Sequence, residues 1–230
     1  MNLRSVLSIA IQTLLRHRLR TILTMLGIAI GISAVIATVA IGEAGQRQVE
    51  DQLNQLGENL VWIEAGSANV QGVRTGTGNT AKLTYDDMQS VLTSVPLIKS
   101  ASPQVDGRTQ IVNGNQNWNT TFRGVGPNFL AIRRWSLAQG DNFTDQDVAT
   151  FATVCLLGKS VADILFPNGE AIGTTVRVNH LPFKVLGVLT AKGYSATGQD
   201  QDDFILMPYS TAQHKVKGIN WYDDIMTSAI

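Results

Sequence analysis

From Thr21 to Gly42 the chain reads TILTMLGIAIGISAVIATVAIG, 22 residues without one ionisable side chain. At about 1.5 Å of rise per residue, a helix of that length crosses the roughly 30 Å hydrocarbon core of a bilayer. Lipid offers a peptide group no hydrogen-bond partner, so a lone crossing segment must satisfy its backbone internally, as a helix. Everything else in the chain takes its address from this segment. Within it, Gly27 and Gly31 form a GxxxG, and Ala29, Ser33 and Ala37 form a second row of small residues turned partly away from the first. Small residues let helix backbones approach closely, so two such rows predict contact with more than one partner helix. Ala40-Ile41-Gly42 before Glu43 would pass as a signal-peptide cleavage site. A secretory apolar region is about 7 to 15 residues behind a short basic tip, however, and this run is longer and has a long lead-in, so the segment reads as an anchor.

The formal net charge of zero hides an asymmetry. Residues 1–20 carry Arg4, Arg16, Arg18 and Arg20 and no acid, which leaves 14 basic against 18 acidic residues in the rest. Basic residues beside a spanning helix stay cytoplasmic, so the N-terminus is expected inside and the large domain outside. Topology alone accounts for these arginines, and nucleic-acid binding is not expected. Ahead of the span, Leu3, Val6, Leu7, Ala10, Ile11, Leu14 and Leu15 recur at helical spacing, predicting an amphipathic cytoplasmic helix over 1–20. Beyond it, Val49, Leu53 and Leu56 continue an apolar seam among charged residues up to Gly57, predicting that the spanning helix (21–42) extends as a stalk (43–57).

The rest of the chain, 58–230, alternates strand and helix signals and predicts an α+β domain, expected to be incomplete at its C-terminal end. Leu60–Ile63 reads as a strand and Gly66–Thr80 as a flexible loop. Thr84 with Asp87, and Thr144 with Asp147, are capping boxes that open short helices. Strands over 98–112 and 116–125 are joined across Asn113-Gly114, a hairpin signal, with Trp118, Thr120 and Phe122 on one face. Strands over 153–157, 174–178, 182–189 and 204–207 follow, the middle two turning about Asn179-His180. A last strand, Asp224–Ile230, is expected to be cut mid-lobe and to leave an unpaired edge.

Chemistry-bearing constellations are absent from this pattern. Gly158-Lys159-Ser160 lies between a strand and a helix, but a phosphate loop needs a glycine where Thr153 stands. Asp200, Asp202 and Asp203 suggest a weak calcium loop, yet the Gly and closing Glu of an EF-hand are missing, so a solvated acidic loop is the expectation. His17, His180 and His214 have no sequence-level partner, and Cys155, the single cysteine, sits in an apolar run as a small buried hydrophobe. No catalytic residue, cofactor or metal is expected, and an enzyme is the most distant reading.

Along nearly the whole chain the order of pieces resembles the MacB-type ABC transporter permeases, the family of macrolide exporters and lipoprotein-releasing permeases. The resemblance lies in Leu15-Arg16-His17-Arg18-Leu19-Arg20-Thr21, Leu26–Gly31, Gln52–Leu60, Gly124-Val125-Gly126-Pro127-Asn128-Phe129-Leu130, Leu157–Ala162, Ile172-Gly173 and Phe183–Leu189. It implies a permease of the bacterial inner membrane that dimerises, or pairs with a related permease subunit. Such a permease associates with an ABC ATPase subunit or domain and passes ATP-driven motion to its stalks and periplasmic domains. In tripartite members a periplasmic adaptor and an outer-membrane duct join it. The resemblance also implies a β-rich lobe inserted in the middle of the chain. The family has four spanning helices and this sequence has one apolar run, so it is expected to be the N-terminal portion of a split or truncated permease. The alternative is a single-pass anchored periplasmic interaction or sensory module without transport activity.

Overall fold

The structure, a computed structural model, describes residues 16–56, 59–66, 69–70, 73–74, 82–195 and 198–229. The chain divides into two compact units, Met1–Asp51 and Gln52–Ile230. The expected amphipathic helix around Leu3–Leu15, with Arg4, lies outside the described residues, as does Gly57.

Helix α1 runs unbroken from Arg18 to Leu56. Its stretch Arg18–Arg47 is long and apolar enough to cross a membrane, and no residue of its most apolar window is buried by the chain itself. Two threonine hydroxyls inside it are satisfied locally. Thr24 Oγ1 donates to the Arg20 carbonyl at 2.9 Å and Thr38 Oγ1 to the Ala34 carbonyl at 2.8 Å, so neither hydroxyl presents an unmet donor to lipid. Polar pairing returns only near the far end, where Glu43 and Arg47 form an i,i+4 ion pair and Gln46 donates to Glu50.

The second unit is built on one sheet whose pairings close on themselves. Strands β1 (Leu60–Glu64), β4 (Ile98–Asn113), β5 (Gln116–Val125), β6 (Leu137–Gly140), β7 (Val154–Leu157), β8 (Thr175–Val178), β9 (Leu181–Leu189), β10 (Phe204–Pro208) and β11 (Asp224–Ala229) are ordered β1-β11-β4-β5-β10-β7-β9-β6. Strand β8 pairs with both β9 and β4, the latter through Ile111↔Val178 and Val112↔Arg177. The circuit β4-β5-β10-β7-β9-β8 is therefore a closed barrel, and closure removes the edges an open sheet would expose. This is the β-rich part inserted between β1 and β11, and the long strand β4 belongs to both.

Period-two alternation fills the barrel. Ile111, Phe122, Cys155, Leu157, Val176, Val178, Phe183, Val185, Ile205 and Met207 point into one buried cluster, joined by Val161, Ala162 and Leu165 of helix α5 (Lys159–Leu165). A second cluster lies on the outer face of β5, β7, β9 and β10, where Val125, Leu156, Leu189 and Leu206 meet Phe129, Ile132, Trp135 and Phe143. The one-turn helix α3 (Phe129–Ile132) and strand β6 that carry this second cluster have no counterpart in the sequence reading. Both are too short for a hydrophobic period to register.

Both capping boxes close as the spacing requires. Thr84 caps α2 (Tyr85–Ser94) and Thr144 caps α4 (Asp145–Ala149), each with reciprocal bonds to the aspartate three residues on. The hairpins are also present, with one correction. Asn113 pairs with Gln116, so the turn residues are Gly114 and Asn115 and the positive φ of 55° falls on Gly114. The turn is thus one residue later than Asn113-Gly114, because a glycine at the first central position accepts that conformation at no steric cost. In the other hairpin, Asn179 and His180 both have positive φ, 46° and 73°, the primed geometry that matches strand twist.

Two further expectations are corrected. The stretch 66–80 is not wholly loop, since Asn69–Val70 (β2) pairs with Val73–Arg74 (β3); the remainder lies largely outside the described residues. Strand β11 is not an unpaired edge. It lies between β1 (Trp62↔Met226) and β4 (Ser102↔Met226), satisfied on both sides.

Candidate functional site

Gly27, Ala29, Gly31, Ser33 and Ala37 occupy the middle of α1, and all are exposed within the chain. A Cβ built at Gly27 or Gly31 meets no atom within 4 Å. Arg16, Arg18 and Arg20 are exposed near the N-terminal end of the described helix, and Val49 is exposed further along it. The side chains of Leu53 and Leu56 lie outside the described residues.

The residues offered as alternatives to these have structural employment. Asp202 is buried, and its carboxylate accepts from the Lys192 and Gly193 backbone N–H groups at 2.8 Å. Asp200 accepts from Ser160 Oγ at 2.6 Å and from the Asp202 N–H at 2.8 Å. Asp203 accepts from Trp118 Nε1 at 2.8 Å and Thr120 Oγ1 at 2.7 Å, tying β5 to the start of β10. The acidic loop is therefore a fastening. Gly158 is required by close approach, since a Cβ there would lie 2.2 Å from the Asp202 carbonyl, and Lys159 pairs with Asp163 along α5. Burial pushes the Cys155 thiol up to about 12, which leaves no thiolate for chemistry. Among the described residues no three metal-ligating side chains converge.

Two polar clusters escaped the sequence reading because their members are far apart in the chain. The first gathers where β11 meets β4 and β5. Asp223 Oδ2 accepts from Lys217 Nζ at 2.6 Å and from the Asp106 N–H at 2.9 Å, while Lys217 Nζ also donates to the Asp106 carbonyl. Arg123 lies 3.7 Å from the Asp106 carboxylate. Beside them, burial and the nearby Asp106 charge push the Asp224 carboxyl up to about 7. The second cluster is cationic. Arg133 is only 7 % exposed and its guanidinium stands 5.9 Å from the Trp62 ring centre. Lys192 Nζ donates to the Arg133 carbonyl at 2.9 Å and sits 4.5 Å from the Trp135 ring centre, and Arg123 faces the Phe204 ring. Burial, then the Arg133 charge, lowers the Lys192 ammonium to about 8. The sequence signal for this cluster is faint: cationic residues beside Trp135 within Arg133-Arg134-Trp135.

The family model described as the MacB-like periplasmic core domain matches residues 21–229. The chain belongs to that family. Proteins named "Macrolide export ATP-binding/permease protein MacB" are similar along the same stretch. Those from Chlorobium luteolum and Syntrophobacter fumaroxidans are each 38% identical over 216 residues, 94% of this chain and 32% and 30% of their own length. The one from Bdellovibrio bacteriovorus is 37% identical over 214 residues, 93% of this chain and 33% of its own. The chain thus spans about a third of the length of these relatives. Its MacB-like core resembles the crystal structure of the periplasmic region of MacB from Actinobacillus actinomycetemcomitans, with TM-score 0.63 and 26% identity over 77% of each chain. The extracellular domain of the noncanonic ABC-type transporter YknZ shares the fold, with TM-score 0.60 at 18% identity, covering 74% of this chain and 83% of that one. The closed barrel with its flanking β1 and β11 lies within the part of the chain that matches the MacB-like periplasmic core domain.

Proposed function

We propose that this chain supplies the first spanning helix and the periplasmic core of a MacB-type permease that couples cytoplasmic ATP hydrolysis to periplasmic movements driving efflux or lipoprotein release. The carrying observation is that the family match starts at Thr21 and continues through the apolar helix into the barrel up to residue 229, so helix and domain form one family unit. In this reading 1–20 is a cytoplasmic helix, 21–42 the span, 43–57 the stalk and 58–230 the periplasmic core of an inner-membrane protein. The 39 residues of α1 measure about 58 Å end to end, well beyond the hydrocarbon core, and an unbroken helix is stiff enough to carry a displacement out of the membrane. ATP is hydrolysed by a separate ATPase subunit or domain, the permease acts as a homodimer or with a related subunit, and a periplasmic adaptor and outer-membrane duct extend the path. The bare Gly27/Gly31 row and the Ala29/Ser33/Ala37 row face partner helices, and Val49, Leu53 and Leu56 face a second stalk.

Two measurements test this. Leu19→Cys and Gly45→Cys, treated in intact cells with a membrane-impermeant maleimide, should label at position 45 and not at 19, with no background from buried Cys155; labelling at 19 alone reverses the topology. Extracted in mild detergent from its native membrane, the chain should run as a complex that hydrolyses ATP, and Gly31→Leu should reduce that complex several-fold. A monomer without ATP hydrolysis overturns the transporter reading.

A further inference from the structure

Between the outer face of β5 and β10 and residues 199–203 lies a cavity of about 270 Å³, lined in part by Thr121, Arg123, Arg133, Trp135 and Gln199. Arg133 is unusual within it. The side chain is more than nine-tenths buried, its Nε has no hydrogen-bond partner, and among the described residues no carboxylate pairs with it. A guanidinium cannot shed its charge at ordinary pH, so burial without an anion leaves a desolvation cost unmet by any hydrogen bond. Its charged neighbours in the fold make this worse, since Arg123 repels it and Arg133 in turn depresses Lys192. For Arg133 the Trp62 face offsets part of the cost through a cation–π contact, as Phe204 does for Arg123 and Trp135 for Lys192. Rings, however, accept none of the five N–H donors of an arginine. The two aspartates that line the same cavity do not fill that role, because Asp200 is engaged by Ser160 and Asp203 by Trp118 and Thr120.

We infer that this cavity is an oxyanion-binding site, in which Arg133 grips two oxygens of a carboxylate or phosphate group and Arg123 and Lys192 supply the supporting charge. The fork of a guanidinium matches two oxygens of one anion at once, and a desolvated cavity strengthens the contact. The volume sets the ligand's size: a small organic acid, or the anionic head of a larger molecule, fits, and a polymer chain does not. Thr121 and Gln199 at the lining give hydrogen-bond partners for the remainder of the ligand. The inference is independent of the transport reading, since it rests on the barrel's outer face alone.

The test uses the full chain in neutral detergent and follows tryptophan emission, to which Trp135 contributes, during titration with sodium phosphate and, separately, sodium benzoate. Sodium chloride at equal ionic strength is the reference. Saturation at about 1 mM is expected for one or both, as befits ligands of few heavy atoms. Preference for phosphate identifies a phosphorylated ligand, and preference for benzoate a carboxylic acid. Arg133→Met keeps the stem's packing and should weaken binding at least 10-fold, while Arg133→Lys keeps the charge without the fork and should weaken it several-fold. If Arg133→Met fails to fold, Gln199→Trp, an exposed position at the cavity mouth, should block binding without altering the unfolding midpoint. A response no larger than that to chloride, or full binding by Arg133→Met or Gln199→Trp, overturns the inference.

Discussion

Between Leu19 and Ile41 every leucine, isoleucine, valine and methionine of α1 is exposed within the chain, whereas Ile111, Phe183, Leu157 and Ile205 in the barrel have no accessible surface at all. The two regions use the same side chains under opposite rules. In the barrel, apolar groups leave water by packing on one another, and each fully buried Leu, Ile or Phe contributes about 1.5–3 kcal/mol. In α1 the helix is satisfied by its own backbone and by threonines bonded to the preceding turn, and its apolar side chains are left exposed by the chain. Stability therefore belongs to the chain in one region and to its surroundings in the other. All four tryptophans, Trp62, Trp118, Trp135 and Trp221, lie in the second unit, so their emission reports on that unit alone.

The sharpest test of this division is Phe183→Ala, which empties the barrel interior and should destabilise the domain by about 3–5 kcal/mol in urea unfolding followed by tryptophan emission. A loss under about 1 kcal/mol would mean that the outer cluster, not the barrel, holds the domain. Next in size, Ile32→Lys places a charge mid-span, at an insertion cost of about 2.5–3.5 kcal/mol. The fraction of chain resisting carbonate extraction should fall while the tryptophan-reported midpoint stays put; a shared loss would break the comparison.

A smaller effect is expected at the β11–β4 junction. Because the Asp224 carboxyl is pushed up from 3.8 to about 7, the folded state between those values keeps a proton that the unfolded state has released. Stability from this group is therefore full below pH 3.8 and falls as pH rises towards 7. Asp224→Asn should flatten that fall and raise stability at pH 8 by on the order of 1 kcal/mol, the carboxyl being only partly buried and so partly screened by water. An unchanged slope would place the titration elsewhere in the domain. Smallest of all, Thr84→Ala removes the cap of α2 and should cost about 0.5–1 kcal/mol, read as a shift of the same urea midpoint, with α1 unaffected.

Those parts of the fold governed by neighbours in the chain were legible from the residues alone. The apolar run needs only its own length to demand a helix. Thr84 and Thr144 find their aspartates three residues away, and the hairpins at Gly114 and at Asn179-His180 need a few residues to turn. Even there, the first turn was displaced by one residue, since the choice between Asn113 and Gly114 depends on the register of the paired strands. What tertiary structure decided is what joins distant segments. Barrel closure depends on Ile111 meeting Val178, and the fate of β11 on Met226 meeting both Trp62 and Ser102. No local preference encodes such pairings, because a strand's propensity is the same at an edge or in a centre. Arg133 follows the same logic. In the sequence it is one arginine of a pair, and only the packing of α3 against the sheet takes it out of water beside Trp62 while bringing no carboxylate to meet it.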